Sequence, residues 1–246
     1  MRKPSIINLI SAADLFTVAN ALLGFTAIIC VVKNKIDFAI MLILLAILAD
    51  GIDGFVARRF SKKWEIGDYL DIMADTISFC VAPAVLIFAL YYNGFKIFVI
   101  VSCLIFVVSG VLRLARFCYL TEKPEAFPKM LGKVQSTFPS HLPESKMFMG
   151  LPAPGAALVI LLFSALKMHP VIITVFMIIL SFLMISDITY PKTRGKTGLL
   201  SGGIILITIA SMFFSFHTEI ILPITLIFAL FYVFFSPLTL KLGKNR

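Results

Sequence analysis

Charge is scarce in this chain of 246 residues. Only 14% of the residues are Asp, Glu, Lys or Arg, against roughly a quarter in a soluble domain. A further 60% are hydrophobic and the mean hydropathy is +1.01. Such a chain cannot cover an aqueous surface, so the soluble globular class is excluded and an integral membrane protein remains. The four cysteines, Cys30, Cys80, Cys103 and Cys118, are scattered through apolar runs without a C-x2-C pair. They read as packing residues and carry no information on redox compartment. His141, His169 and His217 share neither a helical face nor a metal-ligand spacing, so no imidazole metal centre is expected. No internal repeat is present, which argues against a transporter built from two related halves.

What the chain has in quantity is apolar runs. Stretches near 20 residues mark candidate spans at 14–32, 36–57, 71–92, 95–118, 151–168, 170–187, 198–216 and 219–238. The fifth and sixth, and the seventh and eighth, are separated only by KMHP and FHTE, which leaves counts of six or seven open. The reading is an all-α, polytopic transmembrane helix bundle of about eight spans. Residues 1–13 place Arg2 and Lys3 before a mixed segment with no long apolar core, and read as a short interfacial helix. With eight spans and a cytoplasmic N-terminus, the only Lys and Arg left outside are Lys33, Lys35, Lys96 and Lys167. That asymmetry agrees with the positive-inside rule and puts both termini in the cytoplasm. The net charge of +9 is thus mainly an orientation signal that also favours anionic lipid headgroups, and it calls for no nucleic acid.

Acidic residues number 13, and six of them fall between residues 50 and 75. Asp50 and Asp53 are three apart and Asp71 and Asp75 four apart, so each pair shares a helical face, and a hairpin brings the faces together. Inside a membrane each carboxylate costs at least about 2.5 kcal/mol. A divalent cation such as Mg²⁺ or Mn²⁺ offsets that cost, because hard oxygen ligands suit those ions. Glu65 and Asp68 fall off the motif that these pairs belong to and read as solvated or capping residues. Thr17, Asn20 and Gly24 form a stripe on the first span, at the spacing of either a packing face or a binding face. Arg113 and Arg116 close the fourth span one turn apart, as anion ligands or as flanking charges. The long Pro- and Lys-containing stretch at 120–150 is read as a cytoplasmic loop, a lid over the acceptor site.

The spacing D-x2-D-G-x2-A-R-x8-G-x3-D-x3-D is met by Asp50, Asp53, Gly54, Ala57, Arg58, Gly67, Asp71 and Asp75. In this pattern the chain resembles the CDP-alcohol phosphotransferases. VLRLARFCYL at 111–120, FMGLPAPGAA at 148–157 and LMISDITYP at 183–191 narrow the likeness to integral-membrane phosphatidylserine synthases and their archaeal archaetidylserine counterpart. Cys118 stands where those relatives commonly carry Asn.

The resemblance implies transfer of a phosphatidyl-type group from CDP-diacylglycerol or CDP-archaeol to the hydroxyl of L-serine, releasing CMP. It implies that Asp50, Asp53, Asp71 and Asp75 hold Mg²⁺ or Mn²⁺, with two ions, and that Asp75 is the catalytic base. Thr17, Asn20, Gly54, Ala57, Arg58 and Gly67 would contact the CDP-lipid, and Arg113 or Arg116 the acceptor. A homodimer in a prokaryotic cell membrane, with its site facing the cytoplasm, is implied as well. The expected organisation is one domain over 1–246, with catalytic spans at 14–118 and C-terminal spans at 151–246. Glycerol phosphate, inositol phosphate or inositol as acceptor is the alternative within the family, and a transporter is a distant one.

Overall fold

The computed structural model of the chain describes residues 12–60, 65–94, 96–122, 147–191 and 195–242, and for 12–13, 53–60, 65–66, 68, 122, 147, 196 and 238–242 it describes the backbone alone. The interfacial segment read at 1–13 therefore lies almost wholly outside the described residues, as does most of the loop at 120–150. Long apolar runs become helices because a backbone without water must satisfy its own hydrogen bonds. They are α1 (Ala12–Val32), α2 (Ile36–Phe60), α3 (Glu65–Asp75), α4 (Ala82–Tyr91), α5 (Lys96–Glu122), α6 (Ala153–Ala165), α7 (Pro170–Ile185), α8 (Lys196–Phe214) and α9 (Thr218–Leu242). A π-helical turn, Thr76–Val81, joins α3 to α4 in one rod. Each of the eight apolar stretches corresponds to one such rod.

Five rods are long and apolar enough to cross a membrane, over Asp14–Val32, Tyr69–Tyr91, Lys96–Thr121, Thr197–Phe214 and Thr218–Pro237. Their outward faces carry Leu22, Phe25, Phe98, Leu104, Phe214 and Phe231, all exposed. An apolar surface of that extent is at home only in lipid. The shorter α6 behaves differently. Ala156, Ala157, Val159, Ile160, Leu161 and Leu162 are all fully buried, and a helix apolar all round belongs in the middle of a bundle. Around it pack α2, α4, α9 and the π turn, while α1 lies along α2 and α5 along α7.

Pro83 accounts for the π turn. It has no N–H for the carbonyl of residue 79, and its ring crowds that carbonyl, so the preceding turn widens. The amide of Ala82 accordingly donates to the carbonyl of Ile77, five residues back.

The all-helical reading needs one addition. Met147–Met149 (β1) and Thr189–Pro191 (β2) form an antiparallel ribbon with Phe148 opposite Tyr190. Gly150 and Leu151 extend it by donating to the carbonyls of Ile188 (2.8 Å) and Leu183 (3.0 Å). These segments leave their helices in the protein interior, where unpaired backbone is costly, and pairing with each other solves the problem. Tyr190 is fully buried and donates to the carbonyl of Val233 at 3.1 Å, and Tyr232 donates to that of Pro191 at 3.2 Å. The ribbon is thereby tied to α9.

Candidate active site

Asp50 projects from α2, and Asp71 and Asp75 from successive turns of α3. One carboxylate oxygen of each lies within 4.8 Å of the others. Asp75 is the buried member, at 6% exposure, and Asp50 and Asp71 are half-buried. Three carboxylates this close demand a positive charge, and an all-oxygen donor set fits Mg²⁺ or Mn²⁺. The side chains of Asp53, Gly54, Ala57 and Arg58 lie outside the described residues.

Helix α1 closes one side. Nδ2 of Asn20 donates to Oδ1 of Asp75 at 3.1 Å, and Asn20 is fully buried. A carboxylate only accepts, so the nitrogen must be the atom that faces Asp75. The amide oxygen then points away, buried and without a hydrogen-bond partner among the described residues. That orphaned acceptor next to the carboxylates is what a site for a cation or a hydrogen-bond donor would contain. One turn earlier, buried Thr17 borders an open apolar groove of about 280 Å³ between α1 and the α3 rod, lined further by Phe25, Leu70 and Met73. Gly67 lets α3 approach α1 closely, since a Cβ there would stand 2.8 Å from Oδ1 of buried Asp14.

The two arginines of α5 part company. Arg113 is 5% exposed, and its guanidinium lies 5.6 Å from the ring of Phe117 and 5.3 Å from that of Phe148. It is within electrostatic reach of Asp75 and Asp50, and its Nε has no hydrogen-bond partner among the described residues. The two rings, 5.8 Å apart and tilted by 57°, flank the cation on one side, and its unpartnered Nε is a donor that suits an anion.

Arg116 faces another way. Its Nη2 donates to the carbonyls of Met149, Met184 and Ser186 at 3.1, 3.1 and 2.9 Å, and its Nη1 to that of Ile185 at 3.1 Å. Nη1 also meets Oδ1 of Asp187 at 3.3 Å, on a side chain that is 78% exposed. Arg116 is thus a cap on the C-terminus of α7, where carbonyls lack intrahelical partners and the dipole attracts a cation. Gly150 makes room for it, because a side chain there would strike the carbonyl of Met184.

Sequence reasoning missed Phe117, Phe148 and Ser78 as parts of this region. For Phe117 a signal existed, four residues after Arg113 on the same helix face. For Phe148 the one signal was its place in the segment at 148–157, which does not point to Arg113, since the chain reaches it from the far side of a long loop.

The family model described as CDP-alcohol phosphatidyltransferase matches residues 10–166. A protein of Methanocaldococcus jannaschii named CDP-diacylglycerol–serine O-phosphatidyltransferase is 35% identical over 193 residues, 78% of this chain and 79% of the relative. An archaetidylserine synthase of Methanothermobacter thermautotrophicus is 34% identical over 198 residues, 79% of this chain and 76% of the relative. A CDP-diacylglycerol–serine O-phosphatidyltransferase of Helicobacter pylori is 30% identical over 190 residues, 74% of this chain and 72% of the relative.

Proposed function

Since the chain belongs to the CDP-alcohol phosphatidyltransferase family, we propose that it transfers a phosphatidyl-type group from a CDP-lipid to the hydroxyl of L-serine. The products are CMP and phosphatidylserine or archaetidylserine. The observation that carries the chemistry is the meeting of Asp50, Asp71 and Asp75 within 4.8 Å, beside a buried arginine. Serine as acceptor rests on the printed names of the relatives.

Asp50, Asp53 and Asp71 would hold Mg²⁺ or Mn²⁺, with Asp75 sharing a second ion. Bound there, the ions would neutralise the diphosphate and stabilise the entering and leaving oxygens. Asp75 takes the proton of the serine hydroxyl. The serine oxygen bonds to the phosphorus that carries the lipid, and the bond from that phosphorus to the bridging oxygen breaks, so that CMP leaves. Arg113 receives the serine carboxylate through its unpartnered Nε, while Arg116, with its donors committed to carbonyls, holds the wall on which Phe148 stands. Thr17, Asn20, Gly54, Ala57, Arg58 and Gly67 contact the CDP-lipid, and the apolar groove beside Thr17 takes one of its chains.

The whole of 1–246 acts as one domain in a prokaryotic cell membrane, as a homodimer, with the site facing the cytoplasm. All eight rods cross. Thirteen-residue α6 is about 20 Å long, short of the hydrocarbon thickness. Its N-terminal end, at Leu151 and Pro152, is buried in protein, where non-helical backbone is tolerated.

The test is CMP release by purified protein from a CDP-lipid with Mn²⁺, with and without L-serine, for the parent and Asp75→Asn. Serine-dependent release lost in the variant supports the proposal. Release only with glycerol phosphate, inositol phosphate or inositol discards serine, and no release with any acceptor discards the enzyme.

A further inference from the structure

Asp75 is both the last residue of α3 and the residue from which the π turn departs. The direction of its carboxylate therefore depends on how that wide turn is seated, and the seat is built from both flanking helices. On the α1 side, Oγ of Ser78 donates to the carbonyl of Asn20 at 2.8 Å. The amide of the same Asn20 holds Asp75 at 3.1 Å. One residue of α1 is thus held twice, through its backbone carbonyl by Ser78 and through its side-chain amide by Asp75. The grip needs the glycine one helical turn further on. A Cβ on Gly24 would collide with Oγ of Ser78, and it would stand 2.7 Å from Cα and 2.9 Å from Cβ of Ser78. The first contact is with a side-chain tip, but the second is with backbone and cannot be relieved by a rotamer change.

On the α5 side, Gly110 leaves a matching notch. A Cβ there would collide with Sγ of Cys80 and lie 3.2 Å from its Cβ. Ser78 and Cys80 are both fully buried, so neither has space to retreat. Pro83, which cannot donate to the preceding turn, keeps the turn wide. A π turn clasped in this way is a common device at functional sites, where it re-aims one side chain out of helical register.

We infer that Gly24 and Ser78 are positioning residues for Asp75, seating the π turn so that its carboxylate joins those of Asp50 and Asp71. The inference rests on the reading that these carboxylates bind a metal ion. It assigns the first span a role beyond contact with the CDP-lipid, namely setting the geometry of the acidic cluster.

The experiment compares the parent, Gly24→Ala and Ser78→Ala as full-length protein in detergent. It reads the Mn²⁺ dissociation constant without substrate, kcat and KM for the CDP-lipid with L-serine, and the thermal midpoint. For Gly24→Ala, Mn²⁺ affinity should fall about tenfold or more, the size of effect seen when groups supporting metal ligands are lost. Its kcat should fall by about 10²-fold, as for a misplacement of about 1 Å, with KM nearly constant. Ser78→Ala keeps the shape of the turn and loses only the bond to Asn20, so both quantities should move the same way by a smaller factor.

Normal Mn²⁺ affinity and kcat in both folded variants overturn the inference while leaving the metal site intact. A lowered thermal midpoint with unchanged Mn²⁺ affinity overturns it too, since a merely structural glycine would do just that. Should Gly24→Ala not fold, Ser78→Ala decides by the same readouts. A parent that binds no Mn²⁺ removes the metal reading and the inference together.

Discussion

The α2–α3 hairpin and the C-terminal part of α5 both carry like charges at helical spacing, yet they come to opposite arrangements. In the hairpin, Asp50, Asp71 and Asp75 converge to within 4.8 Å although they repel. On α5, Arg113 and Arg116 diverge, one toward the carboxylates and one into a cage of carbonyls. Spacing puts charges on a face, but the elements packed against that face decide what each charge does. Against the aspartates lies α1 with an amide donor. Against Arg116 lies the carbonyl-bearing end of α7, and against Arg113 lie two aromatic rings.

The sharpest break of this contrast is made at Asp75. Asp75→Asn keeps the shape but removes the proton acceptor and a negative charge, and kcat for CMP release should fall by about 10²–10⁴-fold. The next step down is Arg113→Lys. A lysine is a point charge that lacks both the planar face Arg113 presents to Phe117 and Phe148 and a bidentate edge. The KM for L-serine should rise by about tenfold to a hundredfold, from the ~1.5–3 kcal/mol of a charge-assisted bond. An unchanged KM would remove Arg113 from the acceptor site.

Arg116→Lys sharpens the comparison from the other side. Three donors cannot replace the fork that reaches Met149, Met184, Ile185 and Ser186. The expected result is a loss of about 1–3 kcal/mol in stability, seen as a lowered thermal midpoint, with a much smaller rise in the KM for serine than Arg113→Lys gives. If the two variants behave alike in KM, the arginines act as one acceptor pair and the contrast is wrong.

The parts of the fold that were legible share a property: their cause is local. Each helical rod follows from its own apolar run, and Asp71 with Asp75 follows from a spacing of four. Pro83 inside an apolar run is a local cause of the π turn as well, although its consequence for Asp75 needs Gly24 from another helix. What was not legible is set by distant partners with no side-chain signature. Arg116 binds carbonyls 33 and 68 to 70 residues away, and any residue type would supply those. The ribbon of β1 and β2 is too short for strand alternation to register, and it exists because two interhelical segments happen to leave the bundle side by side. In the candidate site, therefore, the meeting of Asp50, Asp71 and Asp75 could be read from the chain, while the aromatic rings beside Arg113 had to be seen.

The smallest effect is expected far from the site, where α8 and α9 meet through a buried contact of 2.8 Å between the hydroxyls of Thr208 and Thr225. Each hydroxyl also reaches a carbonyl of its own helix, Ile204 and Ile221, at 2.9 Å in both cases. Two hydroxyls have two hydrogens, and three contacts compete for them, so one contact is always without a proton. Thr208→Val removes one hydroxyl and leaves that of Thr225 still bonded to Ile221, so no buried group is orphaned. The loss should then be close to the ~0.6 kcal/mol typical of an interhelical hydrogen bond in a membrane protein, with CMP release at the parental rate. A thermal midpoint lowered as far as by Arg116→Lys would mean that this contact couples the last two helices to the rest of the bundle. The C-terminal helices would then be part of the device that holds the site, through Tyr232 and the ribbon, rather than a frame around it.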